Sequence, residues 1–173
     1  MGKTLVPLIT GKKAEILSQW FDAAIQGYAP DTSRFLKDRK DQFANPVGST
    51  TKKGLEGLLD LLQAELDPQQ VATHLDPIVR IRAVQDFTPS QAIAFIPALK
   101  HVLRSVFKNA TKDPALRDQL VELEDRIDHL CLIAVDLYVA CREGVYRLKA
   151  NETRNRVFSA FERAGLVDKN AAS

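Results

Sequence analysis

The chain of 173 residues has only two cysteines, no charge excess of note, and no apolar run long enough to span a bilayer. Each shortage excludes something. Cys131 and Cys141 lie ten positions apart, which on one helix separates them by about 15 Å. A disulfide needs Cα atoms about 4.4–6.8 Å apart, so the two are read as unbridged thiols in a reducing compartment. The 24 basic and 22 acidic residues leave a net charge of +2, which gives no electrostatic footprint for nucleic acid. The longest nearly apolar stretch, Leu130 to Cys141, is too short for a membrane span and is interrupted by Asp136. The first residues lack a signal-peptide pattern, so the expected location is the cytoplasm.

Chemistry-bearing motifs are equally sparse. There is no glycine-rich phosphate loop, no Gly-x-Ser-x-Gly elbow and no Cys-x-x-Cys pair. Gly48-Ser49-Thr50-Thr51-Lys52-Lys53 has phosphate-loop letters without their spacing and reads as a turn glycine followed by a helix start. None of the three histidines has partners at metal-ligand spacing. His101 falls on a polar helix face, and His74 and His129 at face boundaries, where a buried ring with one hydrogen bond is expected. No metal, cofactor or catalytic set is expected, and the reading is of a non-enzyme.

What the sequence does have is helical periodicity almost everywhere, with alternating strand patterns scarce. The expected fold is all-α: a single-domain helical bundle over residues 1–167, with a flexible tail at 168–173. A short helix is expected over Leu5 to Ile9, and a first long one from about Lys12 to Tyr28, with Ile16, Trp20, Phe21, Ala24 and Ile25 as its stripe. A polar connection follows to about Ser49, with Phe35 and Phe43 as anchors. Further helices are expected over Thr50 to Leu66, Pro68 to Asp86 and Pro89 to Asn109. Asp67-Pro68 and Asp113-Pro114 are N-cap and first-turn pairs, and Thr88 with Gln91 has capping-box spacing. The longest helix, about 35 residues, should run from Pro114 to Lys149, followed by a short one capped by Asn151.

Two charges fall where apolar residues belong. Val71, Leu75 and Ile78 step along one face to Arg82, and Asp136 is the only charge in Leu130 to Cys141. A buried charge must be paired or it costs several kcal/mol or more. Asp136 is therefore expected to pair with Arg82, or failing that with Arg80. Such a pair would either fix helix register or serve as a switch or ligand anchor. On the long helix, Leu123, Ile127, Leu130, Ala134, Leu137 and Cys141 recur in a heptad-like seam. The seam either packs into its own core or forms the interface of a homodimer, which is the expected assembly.

Two segments carry a family resemblance. Phe43-Ala44-Asn45-Pro46-Val47-Gly48 and Ile81-Arg82-Ala83-Val84-Gln85-Asp86-Phe87-Thr88-Pro89-Ser90-Gln91-Ala92 follow a helix containing Trp20-Phe21. This order resembles the N-terminal domain of the RsbT co-antagonist protein RsbRD, over roughly residues 10 to 150. Its motif positions here are Asn45, Pro46, Gly48, Gln85, Pro89, Ser90 and Gln91. The resemblance implies a sensory or input domain of bacterial stress signalling, with a dimeric, globin-like fold that lacks haem. It supplies no catalytic residue. Such domains precede an output domain in related co-antagonists, so a separate signalling partner is expected for this chain. The alternative function is a globin-like carrier or sensor of a small molecule or haem.

Overall fold

The computed structural model describes residues 4–39, 41, 43–85 and 87–166. Among them are eight α-helices, one 3-10 turn and no strand. The helices are α1 (Leu5–Gly11), α2 (Lys13–Ile25), α3 (Pro30–Asp38), α4 (Pro46–Leu61), α5 (Pro68–Val84), α6 (Pro89–Ile93), α7 (Phe95–Val106) and α8 (Pro114–Arg163), with the 3-10 turn at Ala110–Lys112 before α8. No helix is long and apolar enough to cross a membrane among the described residues. The expected tail at 168–173 lies outside the described residues.

Helix α5 sits centrally, packed on α4 along one side and on α8 and α6 along the other, while α2 packs on α7 and α4. Its stripe of Val71, Leu75, Ile78 and Val79 is fully buried, and it meets Leu55, Leu58, Leu59 and Leu62 in the same core. Two glycines set the closeness of α4 to α5. A Cβ on Gly54 would lie 2.6 Å from Ile78 Cδ1 and 2.7 Å from the His74 carbonyl oxygen, and one on Gly57 would meet the His74 ring at 2.3 Å. Trp20, Phe95, Ile96 and Leu99 fill the space between α2 and α7.

Local chemistry explains the boundaries. Asp67 accepts from the Gln69 amide at 3.0 Å and Asp113 from the Ala115 amide at 3.1 Å, each followed by proline in the first turn. Proline there gives up an N–H that no intrahelical acceptor would have used. Helix α4 starts at Pro46, earlier than the expected Thr50, because Asn45 is its N-cap.

Three expectations are corrected. The polar connection after α2 contains helix α3; its anchor is Leu36, whereas Phe35 and Phe43 are exposed. That helix is too short and too polar for its periodicity to stand out. The single helix expected from Pro89 breaks at Ala94 into α6 and α7. Pro97 has no N–H for the Ile93 carbonyl, and its ring crowds that oxygen. The last two expected helices are one: α8 runs 50 residues to Arg163, and Asn151 lies inside it without capping anything. Asn151 has no proline after it, so nothing stops the helix there.

Candidate functional site

The polar centre of the bundle is Arg82, in the last turn of α5 and only 2% exposed. Its Nη2 donates to the Ala24 carbonyl at 2.7 Å, and Nη1 donates to the Ala92 carbonyl at 3.1 Å and more weakly to that of Gln91 at 3.4 Å. The guanidinium carbon lies 4.6 Å from the Phe95 ring centroid, 5.6 Å from Phe87 and 5.8 Å from Tyr28. Nε has no partner. A buried cation without a carboxylate is costly. Here its position compensates: Ala24 is near the C-terminus of α2, Gln91 and Ala92 are near the C-terminus of α6, and Arg82 closes α5. Three helix C-terminal ends, each carrying partial negative charge, converge on one guanidinium. Burial pulls the Arg82 proton affinity down, with the Tyr28 phenol opposing that; burial also pushes the Tyr28 phenol up, against the effect of Arg82.

The expected Asp136 pair does not form. Asp136 is exposed on α8 and carries no ion pair among the described residues. Arg82 is satisfied by carbonyls, and Arg80 bonds Asp76 one turn back on α5, at 3.0 Å. The apolar run around Asp136 is covered on one side only, and Asp136 lies on the uncovered side. The buried acid on α8 is instead Glu124, which takes a two-bond contact from Arg104 at 2.7 and 2.5 Å.

The family-motif residues fall in two places, the junction of α3 with α4 and the surroundings of Arg82. Asn45 is 2% exposed; its Oδ1 accepts from the Gly48 amide at 2.8 Å, and its Nδ2 donates to the Leu36 and Arg39 carbonyls, both at 2.9 Å. One side chain thus ends α3 and starts α4. Pro46 takes the first turn of α4, and any Cβ on Gly48 would strike the Asn45 amide at 2.3 Å. Gln85 accepts from the Tyr28 hydroxyl at 3.0 Å. Thr88 and Gln91 form a capping box on α6, with Ser90 Oγ 3.3 Å from Thr88 Oγ1 and Pro89 in the first turn. Tyr28 and Phe87 meet edge to face at 5.0 Å, and the Tyr138 hydroxyl of α8 donates to the Phe87 carbonyl. Asp86 lies outside the described residues. The aromatic cage of Tyr28, Phe87 and Phe95 around Arg82 was not expected from sequence. Its signal was present: Phe87 and Phe95 flank the capping box that follows an arginine in a core position.

The seam of α8 is used up inside the chain. Leu123, Ile127, Leu130 and Ala134 are buried in the domain's own core, and Leu137 and Cys141 pack half-buried against it. The four buried residues are not free to meet a second copy, which corrects the interface expected from them. Leu137 and Cys141 instead line a groove of about 500 Å³ between α5 and α8, with Asp76, Arg80 and Gly144. Cys141 Sγ is 3.9 Å from Asp76, and burial pushes the thiols of both Cys131 and Cys141 up. The opposite face of α8 carries Leu132, Val135, Val139, Tyr146, Val157 and Phe161, all between 38% and 67% exposed. From Tyr146 to Leu166 every residue is exposed.

The histidines stay apart: His74 is half-buried beside Gly57, and His101 and His129 are exposed, so the buried position expected for His129 is corrected. No group of three or more His, Cys, Asp or Glu side chains is placed to hold a metal among the described residues.

These features define an all-helical domain organised around an arginine that gathers helix ends, with a long terminal helix whose outer face is apolar. The chain belongs to the family of the RsbT co-antagonist protein RsbRD N-terminal domain, whose model matches residues 14–153. That span takes in both motif segments and the Arg82 centre, and it ends within α8. No curated protein and no solved structure matches the chain.

Proposed function

We propose that the chain is a non-enzymatic regulatory input domain of bacterial, RsbRD-type stress signalling. It works in the cytoplasm as a homodimer paired along the outer face of α8, and it passes its state to a separate protein partner. Family membership supports the signalling role. The observation that carries the dimer is the uncovered stripe on α8. Leu132, Val135, Val139 and Tyr146 recur at steps of three, four and seven, and Val157 and Phe161 continue the face. Exposed apolar patches of this kind mark interaction surfaces. The last turns of α8 stand clear of the body, and helices of such length are marginal in water without a packed face. A two-fold axis along α8 would cover the stripe with its own copy, because a two-fold interface is self-complementary. The free, burial-raised thiols suit a reducing compartment.

Sedimentation equilibrium tests the assembly. The wild-type chain is expected to be a dimer at micromolar concentration, and Val139→Glu is expected to shift it to monomer with its helix content kept. A wild-type chain that stays monomeric overturns the dimer. Recovery of signalling proteins by the tagged wild-type chain, but not by Val139→Glu, would tie the partner to the dimeric form.

A further inference from the structure

Away from the Arg82 centre and the α8 faces, α2, α3 and α4 enclose an open pocket of about 390 Å³. That is within the range of small-molecule sites, which are typically about 300–1,000 Å³. Its floor is apolar: Phe21 and Leu55 are buried, and Leu17 packs half-buried beside them. Its rim is polar, and most of that rim is already committed. Asp22 takes an ion pair from Lys37 at 2.8 Å, and Glu56 takes a longer one at 3.4 Å from Lys13, which it shares with Asp60 at 2.9 Å. Two rim groups are left over. Lys52 makes no ion pair among the described residues; its ammonium lies 4.6 Å over the Phe21 ring centroid. Ser18 has a hydroxyl with no hydrogen bond among the described residues. Both leftover groups are donors, and each rim acid already faces another lysine.

From this pairing we propose that the pocket is a binding site for a small monocarboxylate with an aromatic or aliphatic body. The carboxylate takes Lys52 Nζ and Ser18 Oγ, and the body lies on Phe21, Leu17 and Leu55. A cation is disfavoured because neither acid is free, and a neutral amide leaves the ammonium without a counter-ion. An amide carbonyl can also accept from the ammonium, so the preference rests on the ion pair alone; Lys52 is exposed, and an exposed ion pair sets a preference of about threefold for carboxylate over amide. The proposal does not depend on the dimer, since each chain carries the whole pocket.

The probes are phenylacetate, octanoate and phenylacetamide, titrated into the full chain and followed by calorimetry and by amide chemical shifts. Phenylacetate and octanoate are expected to bind once per chain and to shift Leu17, Ser18, Phe21 and Leu55, with phenylacetamide about threefold weaker. Lys52→Met is expected to abolish the preference and Lys52→Arg to keep it; Lys52 is exposed, so both variants are expected to unfold at the wild-type midpoint. No binding by either carboxylate at millimolar concentration, equal affinity for acid and amide, unchanged binding in Lys52→Met, or shifts confined to the groove between α5 and α8 would each overturn the proposal.

Discussion

Replacing Arg82 by methionine or by lysine separates three properties of the residue: its length, its charge and its fork. In the native chain the fork spans two helices, with Nη2 on Ala24 of α2 and Nη1 on Ala92 of α6. Arg82→Met keeps an unbranched stem among Phe87, Phe95 and Tyr28 but leaves two buried carbonyls without a donor. Each orphaned acceptor costs about 1–3 kcal/mol. Removal of a desolvated charge returns part of that, so the expected net loss is about 2–4 kcal/mol. Arg82→Lys keeps the charge, but a compact ammonium reaches one helix end at most and is more strongly hydrated. Its expected loss is larger, about 3–5 kcal/mol. Against a total stability of about 5–15 kcal/mol, both are plain in urea unfolding. Trp20, the one tryptophan, reports the transition; it is buried and donates to the Phe95 carbonyl at 2.7 Å, beside the site. The pH dependence separates the two variants further. Burial lowers the folded-state pKa of the introduced amine below its unfolded value near 10.4, so the unfolded chain binds more protons. Stability of Arg82→Lys, relative to Arg82→Met, therefore rises with pH between those two values and levels off above the higher one. If Arg82→Lys unfolds within about 0.5 kcal/mol of wild type, the two-helix fork is not what stabilises the site.

Other perturbations follow the same geometry. Gly54→Ala places a methyl against Ile78 and the His74 carbonyl, forcing α4 from α5 at a cost of about 1–3 kcal/mol in chemical denaturation. Gly57→Ala meets only the His74 ring, which can turn away, and should cost less. Asn45→Ala removes the α4 cap and both bonds to the end of α3, for a loss of about 2 kcal/mol, whereas Asn45→Asp keeps the cap and loses less. The Tyr28, Cys131 and Cys141 protons are all held more tightly in the folded chain than in the unfolded one. The unfolded chain releases them first, so stability falls as pH rises from about 8.5 upward. Thermal unfolding at pH 8 and pH 10.5 checks this, and Tyr28→Phe should show a smaller fall.

Elements with a strong apolar period were legible from sequence: α2, α4, α5 and α8 emerged with their stripes, because each buries one face on the core. Helix α3 was not, since Leu36 alone of its nine residues is buried. The break at Ala94 was missed because Pro97 lies inside a stripe that continues through it. Arg82 drew notice as a charge in a core position, but its partners are carbonyls, and backbone acceptors leave no mark in a sequence. Asp136 misled for the opposite reason. The run around it is apolar on all sides, yet the domain covers only one of them, and composition does not say how many neighbours a helix has. The pocket over Phe21 depends on which lysines pair with which acids across three helices, and that is set by packing alone.

The length of α8 has a mechanical meaning. Its last buried residue is Tyr138, and the helix runs on without interruption to Arg163. Counted from Tyr146, where every residue becomes exposed, its overhang is about 26 Å at 1.5 Å per residue. Its base is tied to either side of the junction of α5 and α6: Tyr138 donates to the Phe87 carbonyl, and Arg142 donates at 2.9 Å to that of Ala83, next to Arg82 in the last turn of α5. A lever is thus anchored at the bundle's polar centre. A tilt of about 5° at its root moves its tip by roughly 2 Å. Rearrangements around Arg82 too small to disturb the core would be amplified at the far end, where Val157 and Phe161 face outward.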